Sequence, residues 1–338
     1  MNIDELCQTA AAMVQKGKGI LAADESTGTI GKRFDSIGAA STADSRRDWR
    51  EMLFRTEPAM SEYISGVILY DETLRQSAAD GTPLVEIIRR AGAIPGIKVD
   101  TGARDMAGFA GEKITAGLDG LRERMKDYYD LGARFAKWRA VITIGDGLPS
   151  EVCIRSNCHA LARYAAICQE ASIVPIVEPE VLMDGAHSLE RCYDVTVHTL
   201  KHLYMELFCH KVMLEGTVLK PNMVLPGKDA AQQASIEEVA AATIKCLKST
   251  VPVAVPGIAF LSGGQSDVDA TAHLNAMNAR FDTPWNLTYS YGRALQAAPL
   301  KAWGGRAENY DAAQAAFNHR AKMNGLATFG KWSPDLED

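Results

Sequence analysis

Short apolar stretches rich in β-branched residues recur along the chain, and between them lie segments in which apolar residues return every three or four positions. The short stretches are GILAADES (19–26), YISGVILYD (63–71), IPGIKVDTG (94–102), RFAKWRAVIT (134–143), IVPIVEPEV (173–181), VMLEGTVLKPN (212–222), VPGIAFLSGG (255–264) and WNLTYSYGR (285–293). Each has the length and composition of a buried strand. The intervening segments ADSRRDWREMLFR, PLVEIIRRAG, LDGLRERMKDYYDLG, SEVCIRSNCHALARYAAICQEA, SLERCYDVTVHTLKHLYMELF, SIEEVAAATIKCLKS, SDVDATAHLNAMNARF and NYDAAQAAFNHRAKMNGLA carry the period of amphipathic helices. Strand and helix alternating eight times, one unit every ~30–45 residues, predicts an α/β fold of the closed TIM (β/α)8 barrel kind. An open doubly wound sheet is the alternative. No linker or low-complexity tract divides the chain. A single barrel domain over 1–338 is expected, with an N-terminal helix and a short C-terminal tail from about residue 325 to 338.

Charge falls where a strand core should be apolar. Asp24 closes the first stretch, Asp71 the second, Lys98 and Asp100 the third; Lys137 and Arg139 lie in the fourth, Glu178 and Glu180 in the fifth, Glu215 and Lys220 in the sixth, and Arg293 just beyond the eighth. Residues i and i+2 share one face of a strand, so Lys137 with Arg139, and Glu178 with Glu180, point together into the barrel. Inward ion pairs also fill barrel cores, but so many charges near the C-terminal strand ends, where barrel active sites sit, point to catalysis. In MLEGTVLKPN (213–222) a lysine sits in an apolar setting. A buried lysine pairs with an anion or gives up its proton. With Lys137 nearby, like-charge repulsion and burial would lower the pKa of Lys220 and free its amine for attack on a carbonyl. Glu178, one strand over, is placed to protonate the carbinolamine hydroxyl. The protonated imine would then accept the electron pair of a breaking carbon–carbon bond, while Asp24 or Glu180 takes the neighbouring hydroxyl proton. That is a retro-aldol reaction without a metal.

Two loops have the makings of phosphate seats. FLSGGQS offers Ser262 and Gly263 with bare backbone N–H groups, and SYGRALQ offers Gly292 and the fork of Arg293. DESTGTIGKR, expected across the mouth, supplies Ser26, Thr29, Lys32 and Arg33 for a second phosphate. Taken singly, such turns are commonplace; flanking a nucleophilic lysine, they suggest a sugar phosphorylated at both ends.

Composition narrows the remaining classes. The 338 residues are 47% hydrophobic with a formal charge of −6, so a sizeable core is expected and no nucleic acid partner. No run approaches a membrane span and the N-terminus has no secretory apolar region, which makes the cytoplasm the expected compartment and excludes a membrane partner. Seven cysteines without CxxC spacing read as reduced, mostly buried thiols. His198 and His202 stand at i and i+4, a chelating spacing, but lack the HExxH glutamate and read as helix-surface or packing residues.

In order, ILAADESTGTIGKR, GIKVD, FAKWR, VEPE, LEGTVLKPNMV, FLSGGQS and SYGRALQ resemble the class I (Schiff-base) fructose-1,6-bisphosphate aldolase family over roughly residues 10–332. The resemblance implies reversible cleavage of fructose 1,6-bisphosphate to dihydroxyacetone phosphate and glyceraldehyde 3-phosphate, with no cofactor, no metal and a homotetramer. It gives Lys220 the Schiff base and Glu178 the acid–base role, with Asp24, Lys137 and Glu180 as their partners. Ser262, Gly263, Gly292 and Arg293 resemble the ketose-phosphate site; Ser26, Thr29, Lys98 and Arg139 sit where the family handles the other end. There are departures. Thr101 stands where relatives often carry lysine, and the sequence closes on GKWSPDLED without the terminal tyrosine many relatives use for proton transfer, leaving Tyr289, Tyr291 or water for that task.

Overall fold

Eight parallel strands close on themselves in the computed structural model, which describes residues 1–337. In chain order, α1 (Ile3–Met13) precedes β1 (Gly19–Ala23), and α2 (Thr27–Asp35), α3 (Ala43–Phe54) and α4 (Glu57–Glu62) lead to β2 (Ile64–Leu69). Next come α5 (Asp71–Arg75), α6 (Leu84–Arg90) and β3 (Ile94–Lys98), then a hairpin of β4 (Ala103–Asp105) and β5 (Lys113–Thr115), α7 (Leu121–Asp130) and β6 (Phe135–Ile142). The second half runs α8 (Glu151–Glu170), β7 (Val174–Val181), α9 (Leu189–Cys209), β8 (Val218–Leu219), α10 (Ile236–Thr250) and β9 (Gly257–Phe260). It ends with α11 (Asp267–Arg280), β10 (Asn286–Tyr291), α12 (Arg293–Trp303) and α13 (Tyr310–Ala327). The barrel order β1-β10-β9-β8-β7-β6-β3-β2 is the expected (β/α)8 closure and removes the open-sheet alternative.

The barrel interior is layered. Leu6, Ala10 and Met13, spaced three and four apart, form the buried face of α1 and cover the lower interior residues Ile20, Phe135, Val174, Ile176 and Val218. Glycines on β2 and β3 make room for the Phe135 ring: a Cβ on Gly96 would stand 2.3 Å from it and one on Gly66 2.9 Å. With one end plugged by apolar side chains and a helix, the strands can present polar groups only at the other.

Four elements depart from the expected pattern. The sixth stretch is a strand only at Val218–Leu219, preceded by a 3-10 turn at Leu214–Gly216, so Glu215 is exposed at the far end from Lys220. Lys220 N–H still donates to Val177 O at 2.9 Å, but Pro221 has no N–H, and Asn222 Oδ1 accepts from Val181 N at 3.0 Å instead. α12 follows β10 although Pro299 lies inside it. The β4–β5 hairpin rises beside the mouth. The last segment folds back: Trp332 is buried, its indole N–H donates to Glu337 Oε1 at 2.8 Å, and Glu337 pairs with Arg320.

Candidate active site

Side-chain alternation carries charge to one end of the barrel. On β6 the inner face reads Phe135, Lys137, Arg139, Val141, and on β7 Val174, Ile176, Glu178, Glu180; both pass from apolar to charged as they climb toward the mouth. β1 does the same through Ile20 and Ala22 to Asp24, just past its end, and β8 through Val218 to Lys220. Above the plug these residues line a cavity of about 620 Å³. All of Asp24, Ser26, Thr29, Lys98, Lys137, Arg139, Glu178, Glu180, Lys220, Ser262, Gly263, Gly292 and Arg293 line it, from seven of the eight strand ends.

At its floor, positive and negative groups alternate. Lys220 Nζ lies 3.1 Å from Glu178 Oε1, Lys137 Nζ 3.5 Å from Glu178 Oε2 and 2.7 Å from Asp24 Oδ2. The side chains of Lys137, Glu178 and Lys220 are 4–5% exposed. Thus Lys137 does approach Lys220, but Glu178 stands between the two amines and touches both. Moving one proton across the Lys220–Glu178 contact converts an ion pair into an amine beside a carboxylic acid, the two species that imine formation consumes. Glu178 Oε2 is buried without a hydrogen-bond partner among the described residues.

Burial alone would raise the Asp24 carboxyl, but Lys137 and Lys220 outweigh it and bring it down to about 2. Burial likewise opposes the charge on Lys137, yet Asp24, Glu178 and Asp100 hold its pKa well above the ordinary lysine value. Arg139 is raised in the same way by Glu180, its partner, against burial. Lys98 donates to Asp100 Oδ1 at 2.6 Å and to Asp100 O at 2.8 Å. Asp24, Lys137 and Arg139 therefore keep their charges over the neutral range.

The phosphate seats differ from expectation in their arrangement. β1 pairs with β10 (Ile20↔Ser290, Leu21↔Tyr291), so the loop bearing Ser26 and Thr29 adjoins the loop of Gly292 and Arg293 instead of facing it across the mouth. Ser26 caps α2, accepting from Thr29 N–H. Arg33 reaches the seam between these loops, since a Cβ on Gly292 would lie 3.7 Å from its Nη2. Gly263 and Gly264 take φ of 61° and 96°, and a Cβ on Gly264 would lie 3.4 Å from Arg293 Nη2, which joins the seventh and eighth loops into one basic pocket. The cations on the other wall are Lys98 and Arg139. Lys32 points to solvent and lines no part of the cavity. Thr101 sits exposed at the rim. Tyr289 and Tyr291 face outward: their hydroxyls donate to Tyr63 O at 2.6 Å and Ala270 O at 2.9 Å, and neither lines the cavity.

Ser290, Glu25, Arg50 and Gln296 escaped the sequence reading. Ser290, buried on the inner face of β10 with no hydrogen-bond partner for its hydroxyl among the described residues, lines the cavity; the alternation in TYSY would have pointed it inward. Glu25 pairs with Arg33 and accepts from Gln296 Nε2 at 2.9 Å, while its backbone O accepts from Arg50 Nη2 at 2.8 Å. Arg50 and Gln296 are both about 1% exposed. These act behind Arg33 and are invisible to strand alternation because they come from α3 and α12. His198 and His202 lie on the outer surface of α9, as expected of helix-surface residues. Five of the seven cysteines are buried, Cys7 is half-buried and Cys209 exposed, and none is paired.

Comparison with known proteins agrees with this geometry. The profile of the family described as fructose-bisphosphate aldolase class-I matches residues 5–338. The chain is 57% identical over 333 residues to a protein of Xanthomonas axonopodis pv. citri (strain 306) named probable fructose-bisphosphate aldolase class 1, covering 98% of this chain and 99% of that one. It is 54% identical over 334 residues to the cytosolic fructose-bisphosphate aldolase 4 of Arabidopsis thaliana, covering 98% and 85%. Its fold superposes with a TM-score of 0.95 and 48% identity on fructose-bisphosphate aldolase from Plasmodium falciparum, solved in complex with TRAP and a small-molecule inhibitor, covering 98% and 95%. A shared profile, relatives matched from end to end and a common barrel leave one conclusion: the chain belongs to the class I fructose-bisphosphate aldolase family.

Proposed function

We propose that the protein is a carbon–carbon lyase of glycolysis and gluconeogenesis that cleaves fructose 1,6-bisphosphate reversibly into dihydroxyacetone phosphate and glyceraldehyde 3-phosphate through a Schiff base on Lys220. The observation that carries this reading is the 3.1 Å contact between Lys220 and Glu178 at the floor of a cation-rimmed cavity of about 620 Å³. Lys220 passes a proton to Glu178, and its nitrogen bonds to the ketone carbon. Glu178 returns the proton to the carbinolamine hydroxyl, which leaves as water. Asp24 or Glu180 takes the proton from the hydroxyl two carbons away; that O–H pair becomes a carbonyl, the intervening carbon–carbon bond breaks, and its electrons settle on the iminium nitrogen. Protonation of the resulting enamine and hydrolysis of the imine restore the amine. Lys137, held as an ammonium, stabilises the anionic oxygen that develops beside it. Ser262, Gly263, Gly292 and Arg293 hold the ketose phosphate, and Ser26, Thr29, Lys98 and Arg139 the other end of the sugar.

Reduction with borohydride in the presence of dihydroxyacetone phosphate, followed by peptide mapping, tests the reading: the adduct is expected on Lys220 alone. An unmodified Lys220 with full inactivation elsewhere would refute it. Arg293→Ala should leave trapping intact and raise KM; the loss of a charge-assisted hydrogen-bond pair, about 1.5–3 kcal/mol, corresponds to roughly 10- to 150-fold. We further infer one folding domain over 1–338, a homotetramer and a cytoplasmic location, which the family likeness and the cytosolic plant relative support. No helix among the described residues is long and apolar enough to cross a membrane. Sedimentation equilibrium at micromolar concentration tests the assembly, and limited proteolysis the undivided domain.

A further inference from the structure

On the solvent side of the α8/α9 pair, outside the barrel cavity, three donors converge. Glu151 opens α8, and His198 and His202 stand one turn apart on α9. The Glu151 carboxylate lies 2.7 Å from His198 Nε2 through one oxygen and 3.1 Å from His202 Nε2 through the other. The imidazole rings meet edge to face with centroids 4.6 Å apart, and the three candidate ligand atoms all lie within 4.8 Å of one another. Two imidazoles at i and i+4 and a carboxylate from a second helix form a three-point donor set. Such nitrogen and oxygen donors suit zinc and its neighbours better than magnesium or calcium. Bonds of about 2.0–2.2 Å would draw the three atoms to within roughly 3–4 Å of one another. The side chains are 29–50% exposed, so they have the freedom to make that adjustment.

The hydrogen bond with His198 holds the Glu151 carboxyl below the ordinary glutamate range, which keeps it an anion. Arg155, one turn along α8, is the cationic neighbour that works against a bound ion. A second group, His159, Glu206 and His210, lies further along the same helix pair. There the Nδ1 of His210 is already engaged with the Glu206 carbonyl of its own helix at 2.9 Å, leaving a poorer donor set.

We propose that Glu151, His198 and His202 bind one divalent transition-metal ion of the zinc class, with water completing its coordination, and that the ion staples α8 to α9 without entering the barrel chemistry. In the metal-free state the Nε2 of His198 is hydrogen-bonded to the carboxylate, and that of His202 stands 3.1 Å from it. In the ion-bound state the ring proton of each histidine sits on Nδ1, and the lone pair of each Nε2 turns to the ion.

The test is calorimetric titration of the chelator-stripped, thiol-reduced protein with zinc chloride at pH 7.5, on the unaltered chain and four variants. The unaltered chain and Cys209→Ser are expected to take up one equivalent at the tightest site. His198→Ala/His202→Ala should weaken that uptake by at least about 100-fold and Glu151→Gln by about 10-fold, the range seen when the surroundings of a metal are disturbed. Zinc should raise the unfolding midpoint of the unaltered protein and not of the double-alanine variant. Cleavage of fructose 1,6-bisphosphate should be unchanged in every variant. Equal zinc affinity in the unaltered and double-alanine proteins overturns the proposal, as does loss of the tight site in His159→Ala.

Discussion

Lys220 is unusual because one proton decides what it is. Paired with Glu178 at 3.1 Å it is a neutralised buried ion; with the proton transferred it is a nucleophile beside its own acid. Lys220→Met keeps the fold, since Glu178 retains Lys137 at 3.5 Å and is not left unpaired. It should abolish borohydride trapping and lower kcat by at least about a thousandfold, as loss of a covalent nucleophile does elsewhere; steady-state kinetics and mass mapping check both, and retained turnover would remove Lys220 from the mechanism. Asp24 allows a prediction with a sign. Its carboxyl is lowered from 3.8 to about 2, so the folded state gains stability above the unfolded value and loses it as pH falls through that window. The gain is about 2 kcal/mol near neutrality, of which about 1 kcal/mol should vanish between pH 5 and pH 3. Urea unfolding of the unaltered protein and Asp24→Asn at both pH values measures it; a difference constant with pH would contradict the burial and pairing assigned here. At this scale the sequence was most readable where a charge broke an apolar strand, as with Lys137, Glu178 and Lys220. It was mute about Glu25, Arg50 and Gln296, because nothing in a helix or turn announces which charged residue is folded inward behind a neighbour's Arg33.

Elements were legible in proportion to the strength of their period. The long helices α8 and α9 and the strands β6 and β7 matched their stretches to within a residue or two, since many buried positions repeat the same signal. α12 was hidden by Pro299, a residue that argues against a helix interior. The β4–β5 hairpin was hidden by its exposed strand Ala103–Asp105, which has no buried face to mark it. β8 reads longer in sequence than in space because apolar residues flank Glu215 on both sides in VMLEGTVL, although the first half of that stretch turns against α1. What a linear pattern cannot carry is closure: β1 meeting β10 places the Ser26 and Arg293 loops side by side, and that adjacency belongs to the barrel alone. The packing of β2, β3 and β6 yields its own prediction. A methyl on Gly96 would stand 2.3 Å from the Phe135 ring, so Gly96→Ala should cost about 1–3 kcal/mol by overpacking. Adding Phe135→Leu should recover part of that loss, because the ring is the obstacle. Denaturant midpoints at constant m-value would show it; an additive pair of penalties would mean that the two positions do not share the space.

At the scale of the whole molecule, charge is distributed unevenly. The chain carries a net −6, yet the barrel cavity is lined by seven basic and six acidic side chains, a slight positive excess on an acidic body. A substrate with two phosphates is repelled by the surface in general and drawn to that opening, and the attraction acts across solvent before contact. Salt therefore separates two contributions. The Debye length is about 10 Å at 0.1 M and about 3 Å at 1 M, so attraction of phosphate to Arg293, Lys98 and the outer rim weakens steeply with ionic strength. The Lys220–Glu178–Lys137–Asp24 array is nearly solvent-free, and its ion pairs are screened far less. Raising a weakly binding salt from 0.05 to 0.5 M should thus lift KM for fructose 1,6-bisphosphate several-fold while kcat changes by less than about twofold. Arg293→Ala should flatten the KM dependence, since one rim cation is gone. If kcat fell with salt in step with the rise in KM, the floor would be open to bulk ions, and the dry ion-pair array proposed to set the proton on Lys220 could not exist as drawn.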